Sequence, residues 1–142
     1  MLLLSKILRD LFPPTHIHTN FSQRICYDIE FAEAVRTARK RGCDILFVPT
    51  ANPFPFEHIN DRVVSARCYE SDLAIVYCNR VGKEQDVNFC GRSSVCAPGG
   101  GLVFLADTIQ QGLSKVIGIE APNSSDPSQG LNGDRRPDLY AT

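Results

Sequence analysis

The sequence has no tryptophan, one methionine and three histidines in 142 residues. None of its six cysteines, at positions 26, 43, 68, 78, 90 and 96, forms a C-x-x-C pair, so neither a zinc ribbon nor a dithiol redox motif is written into the chain. No apolar run approaches the roughly 20 residues of a membrane span. Met1-Leu2-Leu3-Leu4 is interrupted at once by Ser5 and Lys6, too soon for the apolar core of a secretory signal. Positive charge is not in excess: 15 Lys and Arg stand against 16 Asp and Glu, a net charge of -1, which argues against a nucleic-acid partner. What is present is ordinary for one globular domain, 43% hydrophobic and 22% charged. The expectation is a cytoplasmic protein, not bound to membrane, with reduced thiols rather than a disulfide framework.

Hydrophobic patterning divides the chain. Arg24-Ile25-Cys26 reads as a short strand and Glu30 to Arg41 as a helix, with Phe31, Ala34, Val35 and Ala38 inward and Glu33, Arg36, Arg39 and Lys40 outward. Acidic residues near its start, basic residues at its end and Gly42 as a stop agree with the helix dipole. Asp44 to Val48, closed by Pro49, suits a buried strand. A second helix is expected over Glu57 to Tyr69, with Phe56, Ile59, Val63 and Ala66 on one stripe, and then a strand over Leu73 to Cys78. After the polar stretch Asn79 to Phe89, Ser93 to Ala97 and Leu102 to Ala106 flank Pro98-Gly99-Gly100-Gly101, which has the chemistry of a hairpin turn. Lys115 to Glu120 alternates like a last strand. The order β-α-β-α-β followed by β-β-β implies a layered α/β domain with helices covering a mostly buried sheet. Residues 1–22 carry an amphipathic stripe (Leu4, Ile7, Leu8, Leu11) and then His16 and His18, and residues 121–142 are polar and read as an extended tail. His16-x-His18 lacks a third ligand at a suitable spacing, so no metal and no cofactor is expected.

Cys43, Cys68, Cys78 and Cys96 lie in or beside apolar stretches and read as core packing. Cys26 differs, because it falls where a strand ends and a helix begins. A thiol there sits near the positive end of a helix dipole, which favours thiolate, and the Tyr27 amide could donate to an oxyanion formed at the sulfur.

The run Arg24-Ile25-Cys26-Tyr27-Asp28-Ile29-Glu30-Phe31-Ala32-Glu33 resembles the nucleophile motif of the nitrilase superfamily, the carbon–nitrogen hydrolases. Five further elements are similar in order: Gly42 to Ala51, Ala66 to Glu70, Ile75 to Arg80, Phe89-Cys90-Gly91-Arg92-Ser93 and Pro98-Gly99-Gly100. The ending Asp134 to Tyr140 is similar to that of aliphatic amidase-like members. The resemblance implies a four-layer α-β-β-α sandwich, incomplete here, with residues 1–22 outside the family pattern and 23–120 forming the C-terminal half of the domain. It implies hydrolysis of a small amide or nitrile through a cysteine thioester, with Cys26 as nucleophile, Tyr27 N–H as oxyanion donor and Thr50, Ala51 and Asn52 lining the substrate pocket. It also implies self-association into a homo-oligomer.

Two departures matter. The family's base glutamate and its lysine lie upstream of the cysteine, yet the 25 residues before Cys26 hold no glutamate and only Lys6, in a context that does not match. Ala32 replaces the usual proline of the first helical turn, a mild change. Glu33 reads as a partner of Arg36 or a loop buttress rather than a base, and Arg67 with Glu70 as an i,i+3 ion pair. The alternative to an enzyme is an inactive family fragment acting as a binding or scaffold subunit.

Overall fold

The computed structural model describes residues 20–108, 131 and 133–140. The Leu4-Ile7-Leu8-Leu11 stripe, His16, His18, the strand expected over Lys115 to Glu120 and most of the tail lie outside the described residues. Seven strands and three α-helices are described: β1 (Phe21–Gln23), α1 (Ala32–Lys40), β2 (Ile45–Thr50), α2 (Val64–Ser71), β3 (Ala74–Asn79), β4 (Val81–Glu84), β5 (Val87–Cys90), β6 (Ser94–Cys96), β7 (Leu102–Leu105) and α3 (Pro137–Tyr140). Five strands form one sheet in the order β1-β2-β3-β6-β7. The first three are parallel, as two βαβ units require, and β6 and β7 are antiparallel additions. The hairpin between β6 and β7 turns at Pro98 to Gly101, where the sequence places it, with Ala97 N donating to Gly101 O at 2.8 Å.

α1 and α2 cover one face of this sheet. Val35 and Ala38 from α1 and Val64 and Cys68 from α2 pack with Leu46 and Val48 of β2, Ile75 and Tyr77 of β3 and Cys96 of β6 in one buried core. α1 ends where Gly42 takes φ +86: Gly42 N reaches Arg39 O and Cys43 N reaches Ala38 O, the paired bonds of a glycine-terminated helix. The far face carries the row Phe47, Val76, Val95 and Phe104, aligned by register across four strands.

Several expectations need correction. The first strand is Phe21–Gln23, and Cys26 instead opens a 3-10 helix, Cys26–Glu30, that precedes α1. Phe31 is half-exposed because it is the extended residue before α1, not part of its inward face. Arg39 is buried rather than outward. It lies four residues after Val35, on the same face of the helix, and Asp44 accepts from its guanidinium at 2.8 Å. Phe56 is exposed because it lies before the helical segment begins, and Ala66 because a π-helical segment, Ile59–Val63, inserts a wide turn before α2 and moves the inward stripe to Ile59, Val64, Cys68 and Ser71.

Pro49 does not close β2, which continues to Thr50. Arg24 N donates to Phe47 O, so Phe47 and, two residues on, Pro49 turn their backbone groups toward β1, whereas Thr50 O faces β3 and accepts from Arg80 N. The missing amide of Pro49 thus falls where β1 has ended, a position that tolerates proline. The polar stretch after β3 holds a second, two-stranded sheet of β4 and β5. Its first strand carries one apolar side chain, Val81, and its two-residue turn relies on Gln85 at φ +51 rather than on glycine. Cys78, expected in the core, is exposed: it pairs with Pro49 in register, on the side of the sheet away from the helices.

Candidate active site

The C-terminal ends of the three parallel strands meet at one edge of the sheet, where open α/β sheets place their ligand-contacting loops. Cys26 follows β1, Thr50 ends β2 and Asn79 ends β3. Cys26 is half-buried and holds φ +40, a left-handed backbone that a residue with a Cβ adopts at some cost. The turn is fixed locally by Asp28, whose carboxylate accepts from Ile25 N at 3.3 Å while its amide donates to Ile25 O at 2.9 Å. Tyr27 follows on the same turn, its exposed ring edge-on to Phe31 with centroids 5.0 Å apart.

The other end of the 3-10 helix is tied to α2. Arg67 Nε donates to Ile29 O at 3.0 Å and an Arg67 terminal nitrogen to Glu30 O at 2.7 Å, so the guanidinium takes up carbonyls that the short helix leaves unpaired. Glu70 orients that guanidinium at 3.0 Å and also faces Arg36 at 3.7 Å. The partner of Arg36 is therefore Glu70, and Glu33 is exposed on the outer side of α1.

Thr50 Oγ1 stands 2.8 Å from Cys26 Sγ. Tyr77, buried beneath, has its phenol pushed up to about 12 by burial, an effect opposed by Thr50 beside it and reinforced by the nearby Cys26 and Cys90 thiols. Ala51 is exposed and Asn52 buried, so the three loop residues do not share one orientation. Asn52 belongs to a polar latch that sequence reasoning missed. Its amide nitrogen donates to Asn79 Oδ1 at 2.7 Å, and its side chain donates to Phe56 O and to Asn60 Oδ1. Asn79 in turn donates to Gly91 O at 2.7 Å, as does Asn60 at 2.8 Å. The one available signal was an asparagine at the end of one buried strand and another two residues past the end of its neighbour. Gly91 closes the latch at φ +61, and a Cβ there would stand 2.8 Å from Val81 Cγ1 and 3.0 Å from the Thr108 backbone.

Burial pushes the Cys43 thiol up to about 11 and raises Cys68 and Cys90 as well. The described residues contain no cluster of His, Cys, Asp and Glu arranged to hold a metal ion. No helix among them is long and apolar enough to cross a membrane.

The family model for carbon–nitrogen hydrolase matches residues 5–116. A hydrolase of the pqqF 5' region of Pseudomonas protegens is 38% identical over 119 residues, covering 82% of this chain and 41% of that protein. N-carbamoylputrescine amidase of Arabidopsis thaliana is 33% identical over 132 residues, covering 82% of this chain and 44% of its own length. Among solved structures, a variant of the amidase from Nesterenkonia sp. AN1, with the acetamide moiety of fluoroacetamide added covalently at its active-site cysteine, superposes with a TM-score of 0.64 at 29% identity. That match covers 85% of this chain and 43% of the amidase. The chain thus spans about two-fifths of the length of the relatives it matches. Its α/β architecture is that of nitrilase-fold amidases, in the form of a partial domain, and by the family match over most of its length the chain belongs to the carbon–nitrogen hydrolases.

Proposed function

We propose that this chain is the nucleophile-bearing, C-terminal half of an amidase domain that cleaves the C–N bond of small aliphatic amides, with Cys26 as nucleophile. The observation that carries the reading is the placement of Cys26: left-handed, half-buried, at the start of a short helix on the edge where three parallel strands end. The amidase relatives support an amide rather than a macromolecular substrate. In the reaction, the Cys26 sulfur bonds to the amide carbon as its proton passes to a base. Tyr27 N–H donates to the resulting oxyanion. The C–N bond then breaks, the nitrogen takes a proton and ammonia leaves a thioester. Water cleaves the thioester, which releases the carboxylic acid and restores the thiol. Thr50 and Ala51 line the pocket, Asn52 holds their loop from behind through Asn60 and Asn79, and Arg67 and Glu70, with Arg36, anchor the far end of the short helix that Cys26 opens.

The glutamate base of the family is not among the 25 residues before Cys26, and the lysine there, Lys6, stands in a context that does not match. The purified chain alone is therefore expected to release ammonia from an aliphatic amide no faster than its Cys26→Ala variant. Co-expressed with the N-terminal portion of a related amidase, it is expected to gain turnover that Cys26→Ala abolishes. Turnover in the complemented protein that survives Cys26→Ala would overturn the assignment. The same reading takes the protein as a cytoplasmic homo-oligomer. Its six free thiols and the exposed apolar side chains Phe21, Ile25, Tyr27 and Phe31 support that part.

A further inference from the structure

We propose that Thr50 is a positioning residue for Cys26: its hydroxyl donates to the sulfur, aims it and stabilises it when ionised. This rests on the reading of Cys26 as the nucleophile and adds a role different from lining the pocket. The oxygen–sulfur separation of 2.8 Å leaves no room for an intervening water. A thiolate can only accept, so the hydroxyl is the donor whenever Cys26 is ionised. Threonine suits the task because its branched side chain has few rotamers on a strand. Its backbone is fixed from both sides, since Thr50 O accepts from Arg80 N at 3.1 Å and Asn52 N is held by Asn79 at 2.7 Å. Tyr77, buried beside it, is hydrogen-bonded to the same hydroxyl, and its phenol O–H can donate to Thr50 Oγ1 while the Thr50 proton points to the sulfur. The hydroxyl is thus a donor locked in place before any substrate arrives, and fixed donors of this kind favour charge developing on the atom they face.

The test is the rate of iodoacetamide labelling of Cys26 in the full chain, read by peptide mass spectrometry from pH 6 to pH 10. Thr50→Val, which keeps the branched shape, is expected to label roughly tenfold more slowly at pH 7, the loss of one hydrogen bond to a charged group. The deficit closes at alkaline pH, and Thr50→Ser keeps the wild-type profile. Wild-type labelling in Thr50→Val, or an equal loss in Thr50→Ser, would overturn the proposal. Cys43 and Cys68 serve as folding reporters, since their labelling marks an opened core. If Thr50→Val exposes them, Thr50→Ala is judged by the same two outcomes. Amide turnover is no part of the readout. A Cys26 that never hydrolyses an amide can still show the Thr50 dependence, and an active Cys26 can lack it.

Discussion

Six thiols in one small chain differ because the fold treats them differently. Cys43, Cys68, Cys90 and Cys96 are buried, whereas Cys26 is half-buried and Cys78 exposed. Iodoacetamide at neutral pH is expected to label Cys26 first, assisted by its place at a helix start, then Cys78, and the buried four only on unfolding. Mass spectrometry of partially labelled protein checks that order, and Cys43 labelled as early as Cys26 would contradict it. Cys43 also makes stability depend on pH. Its folded value of about 11 lies above the ordinary thiol value of 9.0, so above pH 9 the unfolded state holds fewer protons than the folded one. Stability is therefore expected to fall as pH rises from 9 and to stop falling for this group past about 11, by about 3 kcal/mol in all. Urea melts at pH 8 and pH 11 measure it, and Cys43→Ala should flatten the difference. At this scale the sequence pointed to the Cys26 turn and the Thr50 loop. It could not show that Thr50 meets the sulfur, because contact across 24 residues depends on the register of two strands and not on residue type.

Elements were legible where local chemistry and periodicity agreed. The Gly42 stop and the Pro-Gly-Gly-Gly hairpin fall where the chain signals them, because glycine takes φ > 0 without the steric cost that a Cβ adds. The phase of the second helix was lost because a single π turn shifts every later residue by about a hundred degrees without leaving a mark in composition. The β4–β5 hairpin was hidden because its strands are solvent-exposed over most of their length and lack apolar alternation. It nevertheless depends on one glycine. Gly91→Ala would force a Cβ against Val81 and the Thr108 backbone at a left-handed φ, and would disturb the carbonyl that Asn60 and Asn79 share. The expected loss is about 2 kcal/mol or more. Urea denaturation would show it, and a loss below about 0.5 kcal/mol would mean that the latch yields easily.

Across the whole molecule, described helices cover only one face of the five-stranded sheet. The opposite face presents Phe47, Val76 and Phe104, all partly exposed, with Cys78 exposed beside them. A sheet with a continuous apolar row on an open face tends to be covered by another chain or by another part of its own. The isolated protein is expected to be oligomeric or aggregation-prone in gel filtration with light scattering, and co-expression with the N-terminal portion of a related amidase should relieve this. A monodisperse monomer with a sharp cooperative melt would contradict that expectation. Assembly also bears on Pro49. In a parallel ladder, the amide two residues after Phe47 would bond to the carbonyl of Arg24, and the carbonyl of that residue would take up the amide of Cys26. Pro49 has no amide to offer, so the pairing that could draw residues 24–26 into the sheet lacks its next rung. The chain is released from its neighbour one residue before the cysteine. In effect, a proline on the second strand sets how far the first can zip, and so where the reactive sulfur leaves the plane of the sheet.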